Sequence, residues 1–371
     1  MARIAALWSD EFAKYAAPEG HPERAQRSEA AARALVTLGA RVERLPTAPA
    51  APESVLAIHH PRYLAELAGS EASATPLEFD GDTVATAHAY RGALLAAGAA
   101  VGAVDAVFNA GFQRAFSLAR PPGHHAECDR ALGFCFLNNV AIAAQHAIDR
   151  HGCRRVAIVD WDVHHGNGTQ RSFEGRDDVL FISSHQAKLF PGTGHHREQG
   201  RGRGRGFTLN IPLAQDATDD ELLGLHRELT LPVLEAFAPE LLLISAGFDA
   251  HERDRTSQQT ISSRGFGQLG ALLFDAADRL CQGRSVVVLE GGYDLQALET
   301  SLVQVLEAAL DPRPWLVPGA APARGKLRWT IDALADLHAR YWPVLSRAGK
   351  ARAEPVEGEA APNLHGSGRS I

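Results

Sequence analysis

Five apolar runs in this chain each break into a cluster of chemically active residues. AFSLA leads into RPPGHH, VAIVD into WDVHHGNGTQ, VLFIS into SHQ, LLLIS into AGFDAH, and VVVLE into GGYDL. The runs are β-branched or Leu-rich with little alternation, as in strands buried on both faces of a parallel sheet. In all, the pattern predicts strands over 4–8, 115–118, 156–160, 179–183, 207–211, 241–245 and 286–290. Helical periodicity fills the intervals 23–38, 83–108, 138–150, 218–237, 263–280 and 295–310. Such alternation reads as a wound α/β sheet. Ligands of open α/β sheets bind beyond the carboxyl ends of the strands. Five clusters far apart in sequence can therefore meet in one pocket.

Composition narrows the classes. With 37 Lys+Arg against 44 Asp+Glu the chain is mildly acidic, whereas a dedicated nucleic-acid binder carries a strongly basic domain. No run of about 18 apolar residues stands out, so no membrane span is expected. The start, MARIAALWSDEF, turns acidic too soon for a signal peptide. The four cysteines form no CxxC pair, which argues against a thiolate metal site or a disulfide framework and for a reducing cytoplasm. Residues 1–310 read as one catalytic unit. Residues 311–323 carry four prolines and leave the core, 327–345 offer one more helix within an extension over 311–348, and 349–371 read as a disordered tail. The Ala- and Gly-rich stretch 83–108 reads as a helix packed close to other backbone. GRGRGRG over 200–206 reads as a solvated basic turn, since it lacks aromatics and runs straight into a strand.

The Asp160-Trp161-Asp162-Val163-His164-His165 cluster is the most specific. In extended backbone, residues two apart project the same way. Asp162 and His164 can thus grip one metal ion, and Asp249, after another strand end, can supply a third ligand. Two carboxylates and an imidazole leave an open position, as a catalytic metal requires. Zn²⁺ is the default, and Fe²⁺ or Mn²⁺ also suits this oxygen-rich set. His124 and His125 follow a stiff Arg120-Pro121-Pro122-Gly123 approach and suit acid–base work. Tyr293, after Glu290-Gly291-Gly292, can offer its hydroxyl to a developing oxyanion. No strand–GxGxxG–helix, GxxxxGK[ST] or GxSxG signature is present.

RPPGHHAECDRALGFCFLNN, DWDVHHGNGTQ, SSHQAKLFPGTG, SAGFDAHERD and LEGGYDL resemble the zinc-dependent histone deacetylase superfamily, in the family's order over residues 1–310. HHGNG and EGGY are similar to its class II branch, with bacterial deacetylase-like amidohydrolases and acetylpolyamine amidohydrolases. The resemblance implies the arginase–deacetylase fold, α/β with a central eight-stranded parallel sheet. It implies hydrolysis of N-acyl amides on lysine side chains or lysine-like amines, with Asp162, His164 and Asp249 as zinc ligands. It implies His125 as general base, His124 as its electrostatic companion held by Asp160, Asn167 beside His125, and Tyr293 polarising the acyl carbonyl. A structural K⁺ is implied at Asp160, Ser183 and Ser184 with the backbone of Asp162 and His164, and a second monovalent ion at Phe173, Arg176, Val179 and Phe207. Gly133, Phe134 and Phe190 resemble the walls of an acyl-lysine tunnel, Arg27 the arginine of a product-exit channel, and Asp82 a rim residue that holds substrate backbone.

One departure bears on substrate. The position seven beyond the zinc Asp is often Leu in peptide deacetylases and Glu in polyamine-selective members; here it is Thr256. No carboxylate stands there for a polyamine's second amine. The expected partner is thus an acylated lysine peptide, with an acetylated polyamine as the alternative; no nucleic acid or membrane is expected, and homo-oligomerisation is left open. Two other readings compete. A ureohydrolase needs ligands for a second bridged metal, and those are missing. A silent acyl-lysine binding protein would normally have lost a ligand, the base or the oxyanion donor.

Overall fold

Runs such as VAIVD, LLLISA and SVVVL are apolar at all but one position each, and all three form strands buried along their whole length. The computed structural model describes residues 2–15, 17–73, 75–316, 323 and 325–346. The predicted tail over 349–371 lies outside the described residues. The strands are β1 (Ile4–Leu7), β2 (Val42–Leu45), β3 (Leu77–Glu78), β4 (Val84–Ala85), β5 (Arg114–Ser117), β6 (Val156–Asp160), β7 (Val179–Gln186), β8 (Thr208–Leu213), β9 (Leu241–Ala246) and β10 (Ser285–Leu289). Eight of them form one parallel sheet in the order β2-β1-β5-β10-β9-β6-β7-β8. The seven predicted strands are all in it. The eighth, β2, is a short edge strand, VERL, whose burial falls away after Val42. Its two central residues, Glu43 and Arg44, are charged and exposed, so it shows no apolar run.

Side chains alternate strictly between two apolar layers. Ile4, Phe116, Val159, Ile182, Ile244 and Val287 join one core with helices Gln26–Leu38, Ser263–Cys281 and Leu295–Leu310. Their strand neighbours Ala5, Ala115, Ile158, Phe181, Leu243 and Val288 join the other, with helices Ala89–Asn109 and Asn139–His151. Helices on both faces explain why no strand reads as amphipathic.

Four expectations need correction. Residues 83–88 are not helical: Val84–Ala85 pairs antiparallel with Leu77–Glu78, and the helix begins at Ala89 behind His88, whose φ is 70°. The helix expected over 218–237 is interrupted. It runs Asp219–Leu225, passes a π turn at His226–Thr230, and resumes over Leu231–Phe237, because Pro232 has no N–H for the ordinary ladder. The helix expected over 327–345 spans Gly325–His338, and only a short turn at Pro343–Leu345 follows, since a proline disfavours helix at the residue before it. Finally, Ala89–Asn109 is long and apolar enough to cross a membrane, with mean hydropathy 1.5 over its best window. Two-thirds of that window is buried inside the protein, which marks a core helix. Its small residues permit close packing, as expected: a Cβ on Gly98 would lie 1.8 Å from the Ala48 carbonyl oxygen.

The basic turn over 200–206 is a single 3-10 turn at Gly202–Gly204. Arg201 pairs with Glu174 and Arg203 with Asp177, so two of its three charges are answered locally.

Candidate active site

The clusters after β5, β9 and β10, together with β6 and β7, sit over five adjacent strands of the sheet. This adjacency, absent from the sequence order, brings His124, His125, Asp162, His164, Asp249 and Tyr293 together. The Nδ1 of His164 lies 3.0 Å from Asp162 Oδ1 and 3.2 Å from Asp249 Oδ2. Asp162 and Asp249 are fully buried. Their remaining oxygens are tied to backbone: Asp162 Oδ2 accepts from Gly291 N at 2.9 Å, and Asp249 Oδ1 from Val163 N at 3.1 Å. Asp249 Oδ2 receives no hydrogen bond of good geometry. Burial and the neighbouring Asp162 push the Asp249 carboxyl up to about 6. Two fully buried carboxylates facing one imidazole, one oxygen left over, call for a shared cation. The three donor atoms lie within 4.8 Å of one another and fit a single divalent ion.

Beside this trio the rings of His124 and His125 stand 4.0 Å apart. The Nδ1 of His124 donates to Asp160 Oδ2 across 3.0 Å, while that of His125 faces Asn167 Oδ1 at 2.8 Å. The Nδ2 of Asn167 is committed to the Glu127 carboxylate at 2.9 Å, so its Oδ1 must be the acceptor and His125 Nδ1 the donor. The two histidines therefore diverge. Burial opposes charge on His124, but Asp162 and Asp160 outweigh it and raise this ring to about 10. Burial, with the nearby charges of His124 and His164, holds His125 well below the usual histidine range.

Tyr293 lies against Arg27, whose guanidinium carbon is 5.0 Å from the ring centre. Burial raises its phenol well above the ordinary value, so it remains a hydrogen-bond donor. Arg27 is fully buried; it donates to Gly292 O at 2.7 Å and pairs with Glu23 at 3.0 Å. Phe134 meets Tyr293 edge-on at 5.7 Å, and Phe190 meets His125 edge-on at 5.1 Å. Gly133 lies between: at φ +55, a Cβ there would be 2.5 Å from the His125 ring and 2.7 Å from Phe190. The β3–β4 hairpin is tied here too. Asp80 Oδ2 accepts from Gly133 N at 3.1 Å, and Thr83 Oγ1 accepts from Phe134 N at 2.9 Å.

The other predicted residues fall as follows. Asp82 is exposed on this hairpin; its N–H reaches Asp80, and its carbonyl accepts from His21 at 2.9 Å. Thr256 hydrogen-bonds Asp254 at 2.7 Å and shares a surface cleft with Tyr293 and Arg24. Ser183 pairs in register with Asp160, and the hydroxyls of Ser183 and Ser184 bond His185 and His226. Phe173, Arg176 and Val179 occupy the turn from helix Asn167–Phe173 into β7. Phe207 reaches this region through its carbonyl, which accepts from Phe181 N at 2.9 Å.

Three supporting residues escaped the sequence reading. Glu290 accepts from Gly123 N at 2.7 Å, His124 N at 3.1 Å and Ser245 Oγ at 2.7 Å, so it pins the histidine pair to β9 and β10. Its signal was a lone acid ending an apolar strand. Glu23 and Arg120 form a buried pair at 2.5 Å below Arg27 and left no local pattern to find.

Comparison with known proteins agrees with this geometry. The histone deacetylase domain family matches residues 21–309. The chain is 35% identical over 355 residues to a protein named Probable deacetylase from Archaeoglobus fulgidus, covering 91% of this chain and 98% of that one. It is 43% identical over 258 residues to a histone deacetylase-like amidohydrolase from Pseudomonas aeruginosa, covering 69% and 67%. It is 37% identical over 361 residues to the human protein named Polyamine deacetylase HDAC10, covering 92% of this chain and 51% of that one. A crystal structure of the HDA15 HD domain matches with TM-score 0.87 and 30% identity, covering 95% and 98%. The chain belongs to the histone deacetylase family of hydrolases and has the arginase–deacetylase fold.

Proposed function

We propose that this protein is a metal-dependent hydrolase of N-acyl bonds on lysine side chains or lysine-like amines, releasing a carboxylate. The observation that carries it is the convergence of Asp162, His164 and Asp249 beside a histidine pair of opposite proton preference. When bound to the trio, Zn²⁺ supplies a Lewis acid that polarises the acyl carbonyl and acidifies water to a pKa of about 7; Fe²⁺ suits the same donors. Nε2 of His125 is free, because its Nδ1 proton is held by Asn167. That nitrogen takes the proton of the attacking water and returns it to the leaving amine. Protonated His124, held by Asp160, keeps positive charge beside the developing oxyanion. The Tyr293 hydroxyl donates to the same oxygen. Gly133, Phe134 and Phe190 flank the approach of an extended alkyl amine. Asp160 with Ser183, Ser184 and the backbone of Asp162 and His164 supplies oxygens for K⁺, and Phe173, Arg176, Val179 and Phe207 are assigned to a second monovalent ion.

Lysine-like substrates are favoured over polyamines. The carboxylate nearest Thr256, Asp254, is already occupied by the N–H groups of Tyr293, Asp294 and Thr256. It has little to offer a second ammonium. The human relative's name favours the polyamine alternative, so both belong in the test. Acetyl-lysine peptide, longer acyl-lysine peptides and acetylpolyamines are offered to the protein with and without chelator. Turnover of acyl-lysine that is lost on chelation and restored by Zn²⁺ supports the reading. Tight binding of acetyl-lysine peptide by metal-loaded protein, with no turnover of any of these, overturns it.

A further inference from the structure

A second set of metal-type donors lies far from the pocket. Asp105, on helix Ala89–Asn109, faces His146 and His151 of helix Asn139–His151. The Nε2 atoms of both histidines lie 2.8 Å from the same oxygen, Asp105 Oδ1. Their ring centres are 5.5 Å apart, and all three donor atoms lie within 4.8 Å of one another. The imidazoles are only 10% and 9% exposed, while Asp105 is 45% exposed. Phe108 stacks on His151 at 4.4 Å and 13°, which fixes that ring. The donors are thus held from the protein side and open from the solvent side.

The geometry points to a second cation site here, taking one divalent transition ion of the zinc type through His146 Nε2, His151 Nε2 and a carboxylate oxygen of Asp105, with water completing the shell. Two imidazoles and one carboxylate are a common donor set for such ions. His151 ends its helix, where the macrodipole favours positive charge. The same helix begins at Asn138, which donates to Ala126 O beside the catalytic pair at 3.2 Å. The helix of 13 residues is about 20 Å long, with the catalytic pair at its start and His151 at its end. This ion cannot bridge to the catalytic one. Its place between two core helices suits a staple, and the inference does not rest on the proposed reaction.

The test uses the full chain loaded with excess Co²⁺, freed of loose ions by gel filtration, with cobalt counted per chain and the visible spectrum recorded. Wild type is expected to hold two ions. The His146→Gln/His151→Gln double variant should hold one, with turnover of acetyl-lysine peptide within about twofold of wild type, which also reports that it folds. Asp105→Asn, a gentler change, should also hold one. Asp249→Asn should keep only the ion at this second site, and combining it with the double variant should leave none. A wild type that holds one ion, lost in Asp249→Asn and kept in the histidine double, overturns the proposal; so does a histidine double that holds as many ions as wild type. If Asp249→Asn instead keeps both ions, the reading of the catalytic trio fails, and the second site is judged on the histidine double alone.

Discussion

His125 and Asn167 are joined by a 2.8 Å hydrogen bond in which the imidazole is the donor and the neutral amide oxygen the acceptor. An amide cannot stabilise an imidazolium as a carboxylate does. With burial and two neighbouring histidines already opposing charge, His125 is a base in waiting at neutral pH. On the acid side, activity should fall as this ring is protonated. Asn167→Asp adds an opposite charge at contact distance, which typically raises such a pKa by about 1–3 units. The acid limb of the kcat/KM profile should move up accordingly. A limb that stays in place in a folded, metal-loaded variant contradicts the role given to Asn167.

Tyr293 is half-buried, its phenol is held well above the ordinary value, and it lies beside the trio. Losing one oxyanion donor costs about 10²–10³-fold in turnover. Tyr293→Phe should show a loss of that order with unchanged metal content. Near-normal kcat would remove the tyrosine from the chemistry.

Asp249 Oδ2 is a buried oxygen without a proper donor. Asp249→Asn deletes the charge while keeping the Val163 contact. Turnover should vanish, and metal content at this site should fall, read by elemental analysis. Because the variant relieves crowding with Asp162, its metal-free form should melt no lower than metal-free wild type.

Gly133 has no room for a side chain. Gly133→Ala places a methyl against His125 and Phe190 in a backbone conformation that costs an L-residue about 1–2 kcal/mol. A fall in kcat/KM well beyond the small drop in Tm is expected. Unaltered kinetics on acetyl-lysine peptide would take the approach to the site away from Gly133.

Buried neutral histidines make the fold acid-sensitive. Burial lowers His59, His226 and His338 to about 4, against an ordinary 6.5. His59 Nε2 accepts from Asn138 N at 2.9 Å and cannot do so once protonated. Between about pH 6.5 and 4 the unfolded chain binds protons that the folded one refuses. The stability these three neutral rings contribute is therefore full above about pH 6.5 and falls as pH drops toward 4. Calorimetric Tm should decline across that window, and a flat profile there would count against these assignments.

The sequence by itself determined the class of sheet, because a strand covered on both faces must be apolar at every position, and VAIVD, LLLISA and SVVVL are nearly so. It also determined the chemical inventory, since Asp162 and His164 are two apart on an extended segment and His124 and His125 are adjacent. Tertiary structure alone decided the rest. Edge strand β2 carries Glu43 and Arg44 on exposed positions and so lacks the apolar run of its neighbours, and hairpin β3–β4 is tied to the rim through Asp80 and Thr83. Strand order put β10 and β9 between β5 and β6, and only that order carries Tyr293 and Asp249 to the histidines. Glu290, Glu23 and Arg120 were illegible because each has meaning only through partners far along the chain. The pairing of Asp105 with His146 and His151 has the same origin: two helices that pack side by side bring together residues that no spacing connects.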